Sequence, residues 1–150
     1  MKRVCLLALW LSLLLGCSRS GTVERQIGNR VKACTPSAPC IVKIKDVTEF
    51  QWDQLYVFES GASLDEIRKS IGTDYPDYVE FKRRLVFLKD GRIIHREDEP
   101  TDVEGPANGE VSFAESHSDR HLSFTPEKAV FRAEKKTFND GVYYTLTQVK

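Results

Sequence analysis

Residues 83–97 read RRLVFLKDGRIIHRE, two apolar runs on either side of Asp90-Gly91. Asp-Gly favours a two-residue hairpin turn because both positions tolerate positive φ. Pairing outward from that turn sets Leu88 against Ile93, Phe87 against Ile94 and Val86 against His95. Apolar residues then fall on both faces near the turn, so the hairpin is expected to sit inside the fold, covered on both sides.

Upstream, SLDEIRKSIG (63–72) carries the strongest helix signals in the chain. Ser63 and Glu66 have the S-x-x-E spacing of a capping box. Asp65 and Glu66 suit the helix's positive end, Arg68 and Lys69 its negative end, and Gly72 its left-handed stop. Leu64, Ile67 and Ile71 make one apolar stripe to face a sheet. A helix this short draws its stability from packing. IVKIKDV (41–47) and DQLYVFES (53–60) read as strands, with Trp52, Tyr56 and Phe58 assigned to the core.

Downstream, residues 97–110 hold six acids, no bases, two prolines and two glycines, and read as a long loop that breaks the sheet. VSFAES and HLSF follow as two strands around a short turn. AVFRAEKKTF and VYYTLTQV form a last hairpin about Asn139-Asp140-Gly141. The succession of strands with one helix predicts an α+β fold, a mainly antiparallel sheet with one short helix packed on it.

The N-terminus carries a different message. Lys2 and Arg3 precede about twelve largely apolar residues, a length suited to a secretory signal and short of the roughly 20 that span a bilayer. Leu14-Leu15-Gly16-Cys17 resembles the bacterial lipobox, in which the cysteine is lipidated on sulfur and becomes the mature N-terminus. The expected organisation is a signal at 1–16, a lipidated N-terminus and flexible tether at 17–33, and a single domain at 34–150. As a coil, the tether would average roughly 20–24 Å from end to end. The whole chain has 22 basic and 22 acidic residues. Losing Lys2 and Arg3 leaves acids two ahead, a balance that gives no electrostatic basis for nucleic-acid binding.

Of four cysteines, Cys5 leaves with the signal and Cys17 takes the lipid. Cys34 and Cys40, in CTPSAPC, remain as an isolated pair in an oxidising compartment, where a disulfide is expected. Five intervening residues with two prolines do not offer the C-x-x-C geometry of a redox pair.

FQWDQLYVFESGASLDEIRKSIG (50–72) followed by LVFLKDGRI (85–93) resembles small bacterial envelope lipoproteins of no established activity. LDEIRKSIG before a strand and KDG is also similar to the small outer-membrane lipoproteins of the β-barrel assembly machinery. Their helix begins Gly-Met-Thr, where this chain has Gly61-Ala62-Ser63. Neither resemblance supplies catalytic residues. Ser18 after the cysteine, in place of Asp, implies the outer membrane, with the body facing the periplasm.

No convergent catalytic set is present, and no cofactor is expected. His95 reads as a partly buried structural histidine. His117, Asp119 and His121, in HSDRH, are the residues for an alternative reading as a metal-binding protein or metal-dependent enzyme, although no fourth ligand accompanies them. The acidic loop lacks the D-x-D-x-D-G spacing of an EF-hand. Lys82, Arg83 and Arg84, with Arg92 and Arg96, read as a solvated basic edge. Tyr75 and Tyr78, in the polar loop GTDYPDY, and Glu97, Asp98 and Glu99 are the candidate partner-binding face. The expected function is binding of an unidentified envelope protein by a lipid-anchored domain, not catalysis.

Overall fold

The computed structural model describes residues 22–100, 104–115 and 121–150. The signal segment and Cys17 lie outside these residues, as do His117 and Asp119. Among the described residues the fold is α+β: two helices and two four-stranded sheets, mostly antiparallel.

The elements run α1 (Val23–Lys32), β1 (Ile41–Lys43), a 3-10 turn (Ile44–Asp46), β2 (Gln54–Phe58), α2 (Leu64–Ile71), β3 (Lys82–Lys89) and β4 (Arg92–Pro100). They continue with β5 (Val111–Phe113), β6 (Leu122–Phe124), β7 (Val130–Phe138) and β8 (Gly141–Gln148). One sheet has the order β1-β7-β8-β5, the other β4-β3-β2-β6. The main core lies between them. It joins Val42, Phe131, Tyr144, Leu146, Val111 and Phe113 of the first sheet to Leu55, Val57, Leu85, Phe87 and Phe124 of the second. The phenyl rings of Phe113, Phe124 and Phe131 meet there, with centroids 5.1 to 6.5 Å apart, a spacing that favours offset or edge-on contacts. A second core lies on the outer face of the second sheet, where Ile67 and Ile71 of α2 pack with Phe58, Val86, Leu88 and Tyr75.

β3 is the inner strand that serves both cores. Leu85 and Phe87 enter the first, Val86 and Leu88 the second, as the two-sided apolar pattern requires. Its partner β4 is an edge strand.

The hairpin turn is where the sequence puts it, with Asp90 and Gly91 both at positive φ. Leu88 pairs with Ile93, but the register then shifts, so that Phe87 faces His95 and Val86 faces Arg96. Ile94 is the extra residue of a β-bulge. A one-residue shift moves every following side chain to the other face. Here it turns Glu97 toward α1 and Asp98 toward the side of Arg84. The unbulged register would aim Arg96 at the positive N-terminus of α1 instead.

Three further expectations are corrected. Residues 23–32 are not tether but helix: Val23, Ile27 and Val31 form a stripe buried in the main core. Thr22 caps the helix by accepting from the Arg25 N–H at 3.3 Å. Gly28 fits the helix to the sheet, because a Cβ there would come 3.0 Å from the buried Tyr144 ring. Second, the acidic loop starts late. β4 runs to Pro100, and Glu97, Asp98 and Glu99 are strand residues opposite Leu85, Arg84 and Arg83, since opposite charges directly across a ladder favour pairing. Third, VSF and LSF do not form a hairpin. β5 pairs in parallel with β8, and β6 pairs with β2 of the other sheet.

Other elements meet the reading closely. Ser63 and Glu66 form the complete capping box, and Gly72 closes α2 in the left-handed conformation. β7 and β8 pair about the Asn139–Gly141 turn. Cys34 and Cys40 are disulfide-bonded, their Cα atoms 5.6 Å apart.

Candidate functional site

The polar ends of β3 and β4 meet the start of α1, and there the chain concentrates its buried charge. Arg83 and Arg84 are neighbours on β3 and so point to opposite faces. Arg83 faces α1. Its Nη2 donates to Glu24 Oε1 at 2.9 Å, its Nη1 donates to the Val111 carbonyl, and its Nε lies 3.8 Å from Glu110. Arg84 faces the α2 side, with its side chain 0 % exposed. It donates to the carbonyls of Lys82 and Val79, and its Nε lies 3.2 Å from Asp98 without hydrogen-bond alignment. The guanidinium carbon stands 4.6 Å from the Tyr78 ring centroid and 5.8 Å from that of Tyr75, within cation–π range. A solvated basic edge is therefore wrong for these two residues: their charge is spent inside the protein.

Glu97 ties the site to α1. Its Oε1 accepts the Val23 N–H, its Oε2 accepts the Glu24 N–H at 3.4 Å, and His95 Nε2 lies 2.9 Å from Oε1. A carboxylate on the first amides of a helix satisfies donors that have no partner within the helix and meets the positive end of its dipole. The His95 ring packs against Phe50 and Phe87, at 4.7 and 5.8 Å, half-buried as the sequence implied but opposite Phe87 rather than Val86.

Burial pushes the Glu24 carboxyl up from 4.5 to about 7. Arg83 pulls it down, while Glu99 and Glu97 push it further up. Glu24 thus titrates near neutrality although it touches an arginine. On the other face, the Tyr75 hydroxyl donates to Asp98. Burial and then this bond to a carboxylate raise the Tyr75 pKa.

The structure does bring the candidate partner-binding residues together, but largely inside. Tyr75 is 1 % exposed, stacked beneath Arg84 and Arg96, and Glu97 is committed to α1. Tyr78 donates to the Ala62 carbonyl at 2.9 Å. Tyr75 and Glu97 are framework, while Glu99 lines an open feature. That feature is a cleft of about 290 Å³ between α1, the end of β4 and the loop before β5. Glu24, Gly28, Arg83, Glu99, Glu110 and Tyr144 line it, with Asn29 and Asn108 exposed at its rim. Sequence reasoning misses it because residues 17–33 read as a tether. The signal available is Thr22 before an i, i+4, i+8 stripe of Val23, Ile27 and Val31.

His121, the one described member of the HSDRH set, sits 3.2 Å from Ser70 Oγ and against the rings of Tyr56 and Phe58. Among the described residues no group of three His, Cys, Asp or Glu is placed to hold a metal ion, and no helix is long and apolar enough to cross a membrane.

Comparison with protein-family models, curated proteins and solved structures finds no match for this chain. Its reading rests on its own residues.

Proposed function

We propose that the protein is a lipid-anchored envelope protein, attached to the outer membrane through Cys17 and facing the periplasm, that acts by binding a partner rather than by catalysis. The observation that supports this is the junction at α1. Shortly after Cys17 the chain enters a helix whose first amides are held by Glu97. The open cleft lies beside that helix, lined by Glu24, Arg83, Glu99 and Glu110. Three acids and three bases line it, Arg25 and Lys32 among them, a mixed-charge surface that suits a polar segment of a protein with matched donors and acceptors.

The anchor and the cleft are tested together in cells. Cys17→Ala is expected to leave uncleaved or mislocalised precursor; unchanged membrane partition and mobility would remove the anchor. A photo-crosslinking residue at Asn29 or Asn108 is expected to capture one discrete envelope protein, and the same residue at the exposed Asp65 on α2 to capture none. Identical capture patterns from all three positions would remove the cleft as the binding site.

A further inference from the structure

Between α2 and β3 the chain makes a loop that holds two apolar side chains out in solvent. Val79 is 56 % exposed and Phe81 74 %. The loop is fixed from beneath. The buried Arg84 donates to the carbonyls of Val79 and Lys82, and Arg96 donates to the carbonyl of Pro76. Phe81 takes φ of +59°, and Asp77 +53°, conformations that residues with a Cβ rarely adopt and that persist where surrounding contacts over-determine them. A buried arginine engaged with the loop's Val79 carbonyl and with the Lys82 carbonyl where β3 begins, and an aromatic held in the left-handed region, describe a shaped apolar tip rather than a slack connection.

Its position names what covers it. Lys82, next to Phe81, is the register partner of Pro100, and Pro100 lines the same cleft as Thr22 and Arg83. Arg83, two residues beyond Phe81, bonds Glu24, two residues beyond Thr22. The tip and the point where the chain leads back to Cys17 are therefore at one end of the molecule. From Cys17 to Thr22 the chain can span at most about 18 Å. Glu80 and Lys82 flank Phe81 and offset one another, and Asp77 on the same loop pairs with Arg96 at 3.4 Å.

We propose that Val79 and Phe81 insert into the bilayer interface and form, with the lipid on Cys17, a second membrane contact that fixes the body's orientation. This rests on the lipid-anchor reading above. An anchor within about 18 Å of Thr22, at the same end of the molecule, holds the tip at high effective concentration over the membrane. Two apolar side chains at the level of the headgroups then suffice, where they would not bind an untethered protein. The body no longer pivots about its anchor, and the cleft beside α1 keeps one fixed relation to the membrane plane.

The test uses the mature lipidated chain, purified from membranes and reconstituted on phosphatidylethanolamine–phosphatidylglycerol vesicles with brominated acyl chains. The native Trp52 is buried in the core and supplies a shielded background, and Trp10 departs with the signal. Phe81→Trp is expected to lose at least half of its added fluorescence in brominated vesicles. Ile94→Trp, exposed on the edge strand β4 about 20 Å along the ladder from the tip, is expected to lose none. Val79→Trp, on the same loop as Phe81, repeats the test should the first substitution disturb folding. Protein that floats with the vesicles while Phe81→Trp and Val79→Trp are quenched no more than Ile94→Trp overturns the insertion and leaves the anchor standing; a tip that faces a protein partner gives this result. Protein that does not float with the vesicles at all overturns both.

Discussion

Glu97 accepts the backbone N–H of Val23, 74 residues earlier in the chain. One carboxylate on an edge strand thus holds the first turn of α1 to the second sheet, while the helix's apolar stripe packs on the main core. The bulge at Ile94 is what makes this geometry possible, because it places Glu97 on the α1 side of β4.

Removing that carboxylate tests the relationship. Glu97→Ala leaves the Val23 and Glu24 amides without their acceptor in a buried setting. A lost helix cap and its unsatisfied donors together cost about 2 kcal/mol. Urea denaturation is expected to show that loss, and hydrogen exchange to show faster exchange at Val23 and Glu24 with little change in α2. Uniform acceleration across both helices would mean that Glu97 supports the whole fold rather than the start of α1.

What can be read in advance follows the range of the interactions. The capping box of Ser63 and Glu66 and the Asp90-Gly91 turn are local chemistry, and both are present as written. The bulge is not legible, because opposite charges face one another in either register: Arg84 meets Asp98 with the bulge and would meet Glu97 without it. What chooses is the α1 N-terminus, 74 residues away from Glu97. The parallel pairing of β5 with β8 is likewise set by distant contacts, as no turn joins them. Gly28 is set in the same way. Its lack of a side chain answers the distant Tyr144 ring and not a need for flexibility.

Arg84 is the most completely enclosed charge of the site, and its substitution separates framework from function. Arg84→Met removes the nearer of the two guanidinium groups beside Asp98, leaving Arg96 at 3.9 Å, and strips the Val79 and Lys82 carbonyls of their donor, a loss of about 3 kcal/mol. The second change Asp98→Asn removes the carboxylate that Arg84 offset and is expected to restore part of it. Thermal or urea unfolding of the two variants measures this. If the double variant is as unstable as the single, the support Arg84 gives to the Val79 and Lys82 carbonyls outweighs the ion pair.

The Cys34–Cys40 bond closes a short loop directly between α1 and β1. Loop-closure entropy for about seven residues amounts to about 2 kcal/mol. Cys34→Ser with Cys40→Ser is expected to lower stability by that amount without dissolving the fold, since α1 is also held by Glu97 and by its buried stripe. A reducing agent should destabilise the native protein equally and leave the double variant unaffected. A shift in the variant under reduction would place the effect elsewhere than this bond.

Glu24 gives the site a dependence on pH whose sign follows from its environment. Burial lifts its pKa from 4.5 to about 7 in the folded protein. Between these values the folded state binds more protons than the unfolded chain, so stability falls as pH rises through the window. The full shift corresponds to at most about 3 kcal/mol, lost between about pH 5 and pH 8. The lowered carboxylates of Asp53, Glu66 and Glu127 act in the opposite sense and at more acid pH. Glu24→Gln mimics the protonated acid. It is expected to match the native protein at about pH 5 and to exceed it at about pH 8, with denaturation curves at each pH as the measurement. Because Glu24 lines the cleft and bonds Arg83, the same protonation alters the charge presented there. Parallel stability profiles for the two proteins would show that the attraction of Arg83 cancels the cost of burial.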